Sequence, residues 1–188
     1  MEPPKCDEIN FLYNAHVREL YAYARHFGFC KEVAMDSIHD VFYNVIVQKT
    51  QLSDIRNVRA YLLQSLKNRL INIHKSEIST VELPAGNEPD ELPFLLEVTV
   101  EDVMIQQEED EKIRRKVEKL LQSLTDRQRE IIYLRYMQEL EYEEIAKIMK
   151  ITAPACRKLV HKAIAKMRET GDVSLLLYFF FCRIIFQP

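Results

Sequence analysis

The chain has 188 residues, of which 47% are hydrophobic and 29% charged, so it can bury a core and cannot be disordered throughout. Only three residues are glycine, which argues against a glycine-rich phosphate-binding loop. The formal net charge of -3 hides an uneven distribution. The net charge is +2 over residues 1–75, -11 over 76–112, +6 over 113–170 and zero over 171–188. Two basic segments lie on either side of an acidic one, which suggests that the three segments have separate roles.

The four cysteines, Cys6, Cys30, Cys156 and Cys182, have no CxxC spacing. The sequence therefore predicts reduced thiols, no metal site and no cofactor. The first ten residues are polar, contain two prolines and lack the apolar core of a signal peptide. We expect a cytoplasmic protein.

Residues 1–75 have the apolar spacing of three helices, so we predict a small helical domain there. The first helix starts at Ile9 and ends before Gly28, a residue suited to a helix C-cap. The second spans about 33–47. The third starts near Val58, and its predicted outer face carries Gln64, Lys67, Asn68, Asn72 and Lys75.

Residues 76–98 break this rhythm with three prolines, one glycine and no basic residue, which predicts an extended acidic linker. A second helical domain is predicted over 99–170, starting from a weak capping box at Thr99 and Asp102. Residues 171–188 form an apolar tail that is too short to span a membrane, and we expect it to pack on the second domain or on a partner.

The second domain contains a pattern typical of a helix-turn-helix. Thr125 and Gln128 predict a capping box, and the helix that follows is expected to continue through Arg135. After a break at 138–141 come a two-turn helix at 142–149, a turn at 150–151 and a helix capped by Thr152. The last helix is basic on its outer face, as expected of a helix that enters the major groove of DNA.

Two groups of motifs in this order resemble sigma-70-type RNA polymerase sigma factors of the extracytoplasmic-function (ECF) subfamily. Leu124-Thr125-x-x-Gln128-Arg129-Glu130, Tyr142-Glu143-Glu144-Ile145-Ala146 and His161-Lys162-Ala163 are similar to region 4. Asp36-x-x-His39-Asp40-Val41-Phe42 and the run 54–62 are similar to region 2. The chain departs from the family pattern at Glu141, where Ser or Thr is usual, and at Lys150, where Gly is usual.

The resemblance implies an all-α protein of two small domains that is not an enzyme. It would bind core RNA polymerase, recognise the −35 and −10 promoter elements, help to melt the DNA and bind an anti-sigma factor. Residues implied in polymerase docking are Asp36, His39, Asp40 and Tyr43. Residues implied at the melted −10 element are Arg56, Asn57, Arg59, Lys67, Asn68 and Asn72. Residues implied at the duplex −35 element are Thr152, Ala153, Pro154, Ala155, Arg157, Lys158, His161 and Lys162. The acidic linker would thread through the basic channel of the polymerase.

Two other interpretations stay open at this point. A conventional helix-turn-helix regulator would use its N-terminal helices for dimerisation or sensing, and would bind a duplex operator without polymerase. A helical enzyme would have to use some of the five histidines, but these have no HExxH or other metal-ligand spacing.

Overall fold

The computed structural model describes residues 6–47, 55–78, 92–96 and 118–170. Within these ranges the regular structure is helical, as the sequence predicts. Contacts divide the chain into two compact units, with the boundary between Pro93 and Phe94. No helix in the described part of the chain is both long enough and apolar enough to span a membrane.

The described residues of the first unit form a bundle of three helices, α1 (Cys6–His26), α2 (Lys31–Val47) and α3 (Val58–Ile78). Each helix contacts the other two. Gly28 follows α1 with φ of +83°, a left-handed conformation that glycine adopts without steric cost, so the predicted C-cap is confirmed. At the other turn, Asn57 caps α3, because its Oδ1 accepts a hydrogen bond from the Ala60 N–H at 3.1 Å.

The core of the first unit is built from the apolar stripes that the spacing predicts. Tyr23 of α1, Ile38 of α2 and Leu66 of α3 are fully buried. One prediction about α3 is wrong: Lys67 does not lie on its outer face, because only 8% of the residue is exposed. Position 67 lies four residues after Leu63 and three before Leu70, which places it on the buried side of the helix. The Lys67 ammonium lies 6.0 Å from the centre of the Phe27 ring.

The described residues of the second unit contain four α-helical segments. A short helical stretch at 118–122, α4, leads into α5 (Asp126–Ile132). After these come α6 (Tyr142–Met149) and α7 (Ala153–Thr170). The capping box at Thr125 is confirmed in both directions, since Thr125 Oγ1 accepts from the Gln128 N–H at 3.3 Å and Gln128 Oε1 accepts from the Thr125 N–H at 3.0 Å.

The backbone after α5 differs from the prediction. The α-helix ends at Ile132, and the next five residues, Tyr133–Met137, form a π-helical turn. The Gln138 N–H closes this turn on the Tyr133 carbonyl at 3.0 Å, and the Gln138 amide also donates to the Tyr133 hydroxyl at 3.0 Å. The wider turn brings Tyr133 and Leu134 into the core together.

Residues 92–96 have no helical structure, but they are not a solvated spacer. Leu92, Phe94 and Leu96 are buried, whereas Pro93 and Leu95 are exposed. The contact boundary therefore falls inside the stretch that we interpret from sequence as a linker. The rest of that linker, the start of the predicted fourth helix and the apolar tail lie outside the described residues.

Candidate nucleic-acid interface

Helices α6 and α7 are joined by a tight turn that contains no glycine. Lys150 ends α6 in the left-handed conformation, with φ of 53°. Thr152 then caps α7, because its Oγ1 accepts from the Ala155 N–H at 3.3 Å, and Pro154 lies in the first turn, where no N–H is needed. The predicted helix-turn-helix is present, with α7 in the position of the recognition helix.

The two sides of α7 have different roles. Cys156, Val160, Ala163 and Met167 are buried and hold the helix on α5 and α6. At about 100° per residue, the exposed residues of the first three turns span an arc of roughly 140° on the other side. They are Pro154, Arg157, Lys158, His161 and Lys162.

The remaining members of the predicted set lie at the start of the helix. Thr152 is exposed, and Ala153 and Ala155 are half-buried. Burial raises the pKa of the Cys156 thiol on the opposite side, so this thiol stays protonated within the core. Small side chains at the start of α7 leave room for a ligand to approach the helix closely.

Arg157 is held in a cluster of charged and aromatic groups. Its guanidinium lies 3.4 Å from the Glu143 carboxylate and 5.4 Å from the centre of the Tyr142 ring. The Arg135 guanidinium lies 4.7 Å from the same ring and donates to the Leu140 carbonyl at 2.7 Å. Tyr142 is thus an aromatic platform for two arginines, and it fixes the position of the first cation of α7.

Lys158 and Lys162 differ from Arg157. Both are exposed, and neither forms an ion pair with any residue that the structure describes. They lie one turn apart, so their ammonium groups can reach successive negative charges along a nucleic-acid backbone.

The six residues predicted at the −10 element do not form one surface. Asn68 and Asn72 are exposed one turn apart on α3. Arg59 lies nine positions before Asn68, which places it about half a turn round the helix from that residue. Arg56 is exposed just before α3, Asn57 is half-buried and acts as its cap, and Lys67 is buried.

Arg59 is tied to α1 through Glu19. The Arg59 guanidinium lies 3.4 Å from one Glu19 oxygen, and His16 Nδ1 lies 3.5 Å from the other. The hydrogen bond with His16 and the charge of Arg59 hold the pKa of Glu19 below its ordinary value of 4.5, against an opposing effect of burial. Arg59 is therefore positioned by the α1–α3 contact.

The predicted docking residues lie along α2. Asp36, His39 and Tyr43 are exposed, and 64% of Tyr43 is accessible to solvent. The Tyr13 hydroxyl lies 3.1 Å from His39 Nε2, and their rings stack with centres 5.9 Å apart. Asp40 is half-buried and forms an ion pair with Arg69 of α3 at 2.6 Å. The four side chains form one stripe, which continues into the exposed Ile46 and Val47.

Sequence reasoning missed several residues that hold these groups in place. Asn57 was detectable as a cap, because an asparagine directly before an apolar helical run is a typical N-cap. Glu19 and Arg69 carried no such signal, since their partners are distant in the chain. No cluster of His, Cys, Asp or Glu among the described residues could hold a metal ion.

Comparison with family models places both units in one family. The model "Sigma-70 region 2" matches residues 12–77, and the model "Sigma-70, region 4" matches residues 120–169. The chain carries regions 2 and 4 of the sigma-70 family. The three-helix bundle is thus region 2, and the unit with the helix-turn-helix is region 4.

A solved structure shows the same fold over most of this sigma-70-family chain. It is CnrH, in a structure of CnrH in complex with the cytosolic domain of CnrY. The TM-score is 0.52, the sequence identity is 18%, and the match covers 88% of each chain. A search of curated protein sequences finds no match.

Proposed function

We propose that the chain is an ECF-type sigma factor that directs core RNA polymerase to promoters and is not itself an enzyme. The observation that carries this proposal is the pairing, in one chain, of region 2 with a region 4 whose α7 presents an exposed basic arc. A conventional regulator needs only the second of these units. A sigma factor needs both, since it contacts two promoter elements and the polymerase.

Region 4 would bind the duplex −35 element through α7. Lys158 and Lys162 would neutralise phosphates, and Arg157 would do so from its place beside Tyr142. The short side chains at 153–155 would let the start of the helix approach base edges. Phosphate contacts would set affinity and register, and contacts at 153–155 would set sequence preference.

Region 2 would bind the −10 element after the DNA has melted, as a single strand. Asn68 and Asn72 can hydrogen-bond the edges of unpaired bases, and Arg56 and Arg59 add positive charge at the other end of α3. The burial of Lys67 removes it from this surface. The proposed −10 contacts therefore reduce to Arg56, Asn57, Arg59, Asn68 and Asn72.

The stripe on α2 would dock on the core polymerase. Its exposed Tyr43, Ile46 and Val47 supply aromatic and apolar surface of the kind buried at protein interfaces, and the carboxylates at 36 and 40 would supply charge at the rim. CnrH binds the cytosolic domain of CnrY. We propose by analogy that this chain also binds a regulatory protein, which its sequence resemblance predicts to be an anti-sigma factor.

Transcription with purified components tests the proposal. Core polymerase should start transcripts from discrete genomic sites only when the chain is added. Lys158→Ala and Lys162→Ala should each weaken promoter binding for all sequences alike, and lower the salt dependence by about one unit. Lys119→Ala, which removes an exposed cation of α4, is the matched control and should have no effect.

The regulator alternative gives a different result in the same assay. If the chain alone protects a duplex operator and adds no new start sites to core polymerase, the sigma-factor proposal is wrong. A chain that binds neither polymerase nor DNA would refute both interpretations.

A further inference from the structure

Phe94, at the centre of the buried segment 92–96, is held by side chains of region 4. Phe94 is fully buried, and its ring lies 5.7 Å from the ring of Tyr133. Its N–H donates to Asp126 Oδ1 at 2.9 Å, and its carbonyl accepts from Arg129 Nε at 2.6 Å. Both backbone groups of one residue are therefore satisfied by side chains of a single helix, α5.

Other interactions fix the orientation of the Asp126 and Arg129 side chains that contact Phe94. They form an ion pair with each other at 2.5 Å, one turn apart on α5. Arg129 also donates to the carbonyls of Leu124 at 2.8 Å and Leu121 at 3.3 Å, which lie in the connection to α5 and at the end of α4. The guanidinium thus links the end of α4, the start of α5 and the segment that contains Phe94.

Burial alternates along the segment. Leu92, Phe94 and Leu96 are buried, and Pro93 and Leu95 between them are exposed. An extended peptide turns alternate side chains to opposite sides, so one side of 92–96 faces protein and the other faces solvent. Pockets for alternate side chains, with main-chain hydrogen bonds between them, are the usual way in which a protein recognises an extended peptide.

We propose that Asp126, Arg129 and Tyr133 form a peptide-binding site that takes an extended apolar segment with a central phenylalanine, and that the chain fills this site with its own Phe94. This proposal is independent of the proposed function, because it involves neither polymerase nor DNA.

Binding of an added peptide tests whether the site can release Phe94 and take a separate peptide in its place. The probe is a fluorescently labelled peptide of residues 89–98, measured by anisotropy against full-length protein. Phe94→Ala should empty the central pocket and let the peptide bind. The wild type should bind it at least tenfold more weakly, because a tethered segment competes at an effective concentration in the millimolar range. A peptide with alanine at position 94 should not bind either protein.

Two results would overturn the proposal. One is equal affinity of the peptide for the wild type and Phe94→Ala. The other is no binding to Phe94→Ala up to about 1 mM, the range of effective concentration expected for a tethered segment. Far-UV circular dichroism of Phe94→Ala must match the wild type, and if it does not, Phe94→Leu replaces it in the same assay.

Hydrogen exchange gives a second measurement that needs no change at Phe94. The Phe94 amide should exchange slowly in the wild type, because Asp126 accepts its hydrogen bond, and at least tenfold faster in Asp126→Ala. The Gln128 amide, which donates to Thr125, should stay protected and so reports that α5 is intact. A Phe94 amide that exchanges at the rate of an unstructured peptide in the wild type would also overturn the proposal.

Discussion

Asp40 and Arg69 form an ion pair that joins α2 to α3, with their charged groups 2.6 Å apart. Both side chains are about half exposed, so the pair contributes only about 0–1 kcal/mol to stability. The same carboxylate lies on the stripe of α2 that we propose for polymerase docking. A change at Asp40 therefore affects two interactions, which must be separated by experiment.

We expect Asp40→Lys to abolish co-purification with core polymerase, because it reverses a charge on the docking stripe. The exchange variant Asp40→Arg with Arg69→Asp restores an ion pair in the opposite direction. It should melt close to the wild type and still fail to bind polymerase. Arg69→Ala is the control, since it breaks the pair but keeps the Asp40 carboxylate, and it should bind polymerase normally. Loss of binding in Arg69→Ala would show that the ion pair, and not the charge of Asp40, supports docking.

Removal of the Glu143 carboxylate should strengthen promoter binding. Glu143 holds the Arg157 guanidinium at 3.4 Å and would repel DNA phosphates near α7. An exposed pair of this kind is worth about 0.2–1 kcal/mol, so Glu143→Gln should raise the affinity of the polymerase complex for promoter DNA by a factor of about 1.4 to 5 at low salt. Glu169→Gln makes the same change in net charge at the far end of α7 and should have a smaller effect. Equal effects of the two variants would mean that net charge alone is responsible.

Lys150→Gly should stabilise region 4. Lys150 has a positive φ, a conformation that costs a residue with a side chain about 1–2 kcal/mol. Glycine avoids this strain, but part of the stabilisation is offset because glycine loses more conformational entropy when the chain folds. We expect a net gain of about 0.5–1 kcal/mol in denaturant unfolding. Lys147→Gly, in the interior of α6, should instead cost about 1 kcal/mol. A lower stability for Lys150→Gly would refute this account of the turn.

The stability that Glu19 gives to region 2 should depend on pH. Its folded-state pKa is lowered, so the unfolded chain binds its proton more readily, and the stabilisation is present above pH 4.5 and lost as the pH falls through the folded-state value. Glu19→Gln should therefore melt below the wild type at pH 5.5, and the gap should close towards pH 3. The measurement is the melting temperature of both proteins by circular dichroism across that range. A gap that stays constant over the range would exclude a contribution from ionised Glu19.

Most of the fold was predictable from the sequence because it depends on local signals. The spacing of apolar residues located the helices, and Gly28, Thr125 and Thr152 marked three of their ends. The π-helical turn was not predictable, because Tyr133 to Met137 has the composition of an ordinary helix. Lys67 is another exception, because its charge predicts an outward side chain whereas its spacing from Leu63 and Leu70 places it inside.

The candidate site was predictable only in part. The basic arc of α7 follows from helical spacing within a few residues. The contacts that position its neighbours do not, since Glu19 and Arg59 are 40 positions apart and sequence spacing does not say which helices pack together. The burial of Phe94 is not predictable, because prolines and acidic residues dominate the stretch that contains it and predict a linker, and the apolar run around it is short.

The position of Phe94 also has a consequence for the nascent chain. Asp126 and Arg129 lie 32 and 35 residues further along, so the segment leaves the ribosome before the side chains that hold it. At a synthesis rate of about 5–20 residues per second, Phe94 waits roughly 2–7 s for Arg129. During that interval the two leucines and the phenylalanine that the folded chain buries, Leu92, Leu96 and Phe94, are exposed, which makes this segment a natural site for a chaperone.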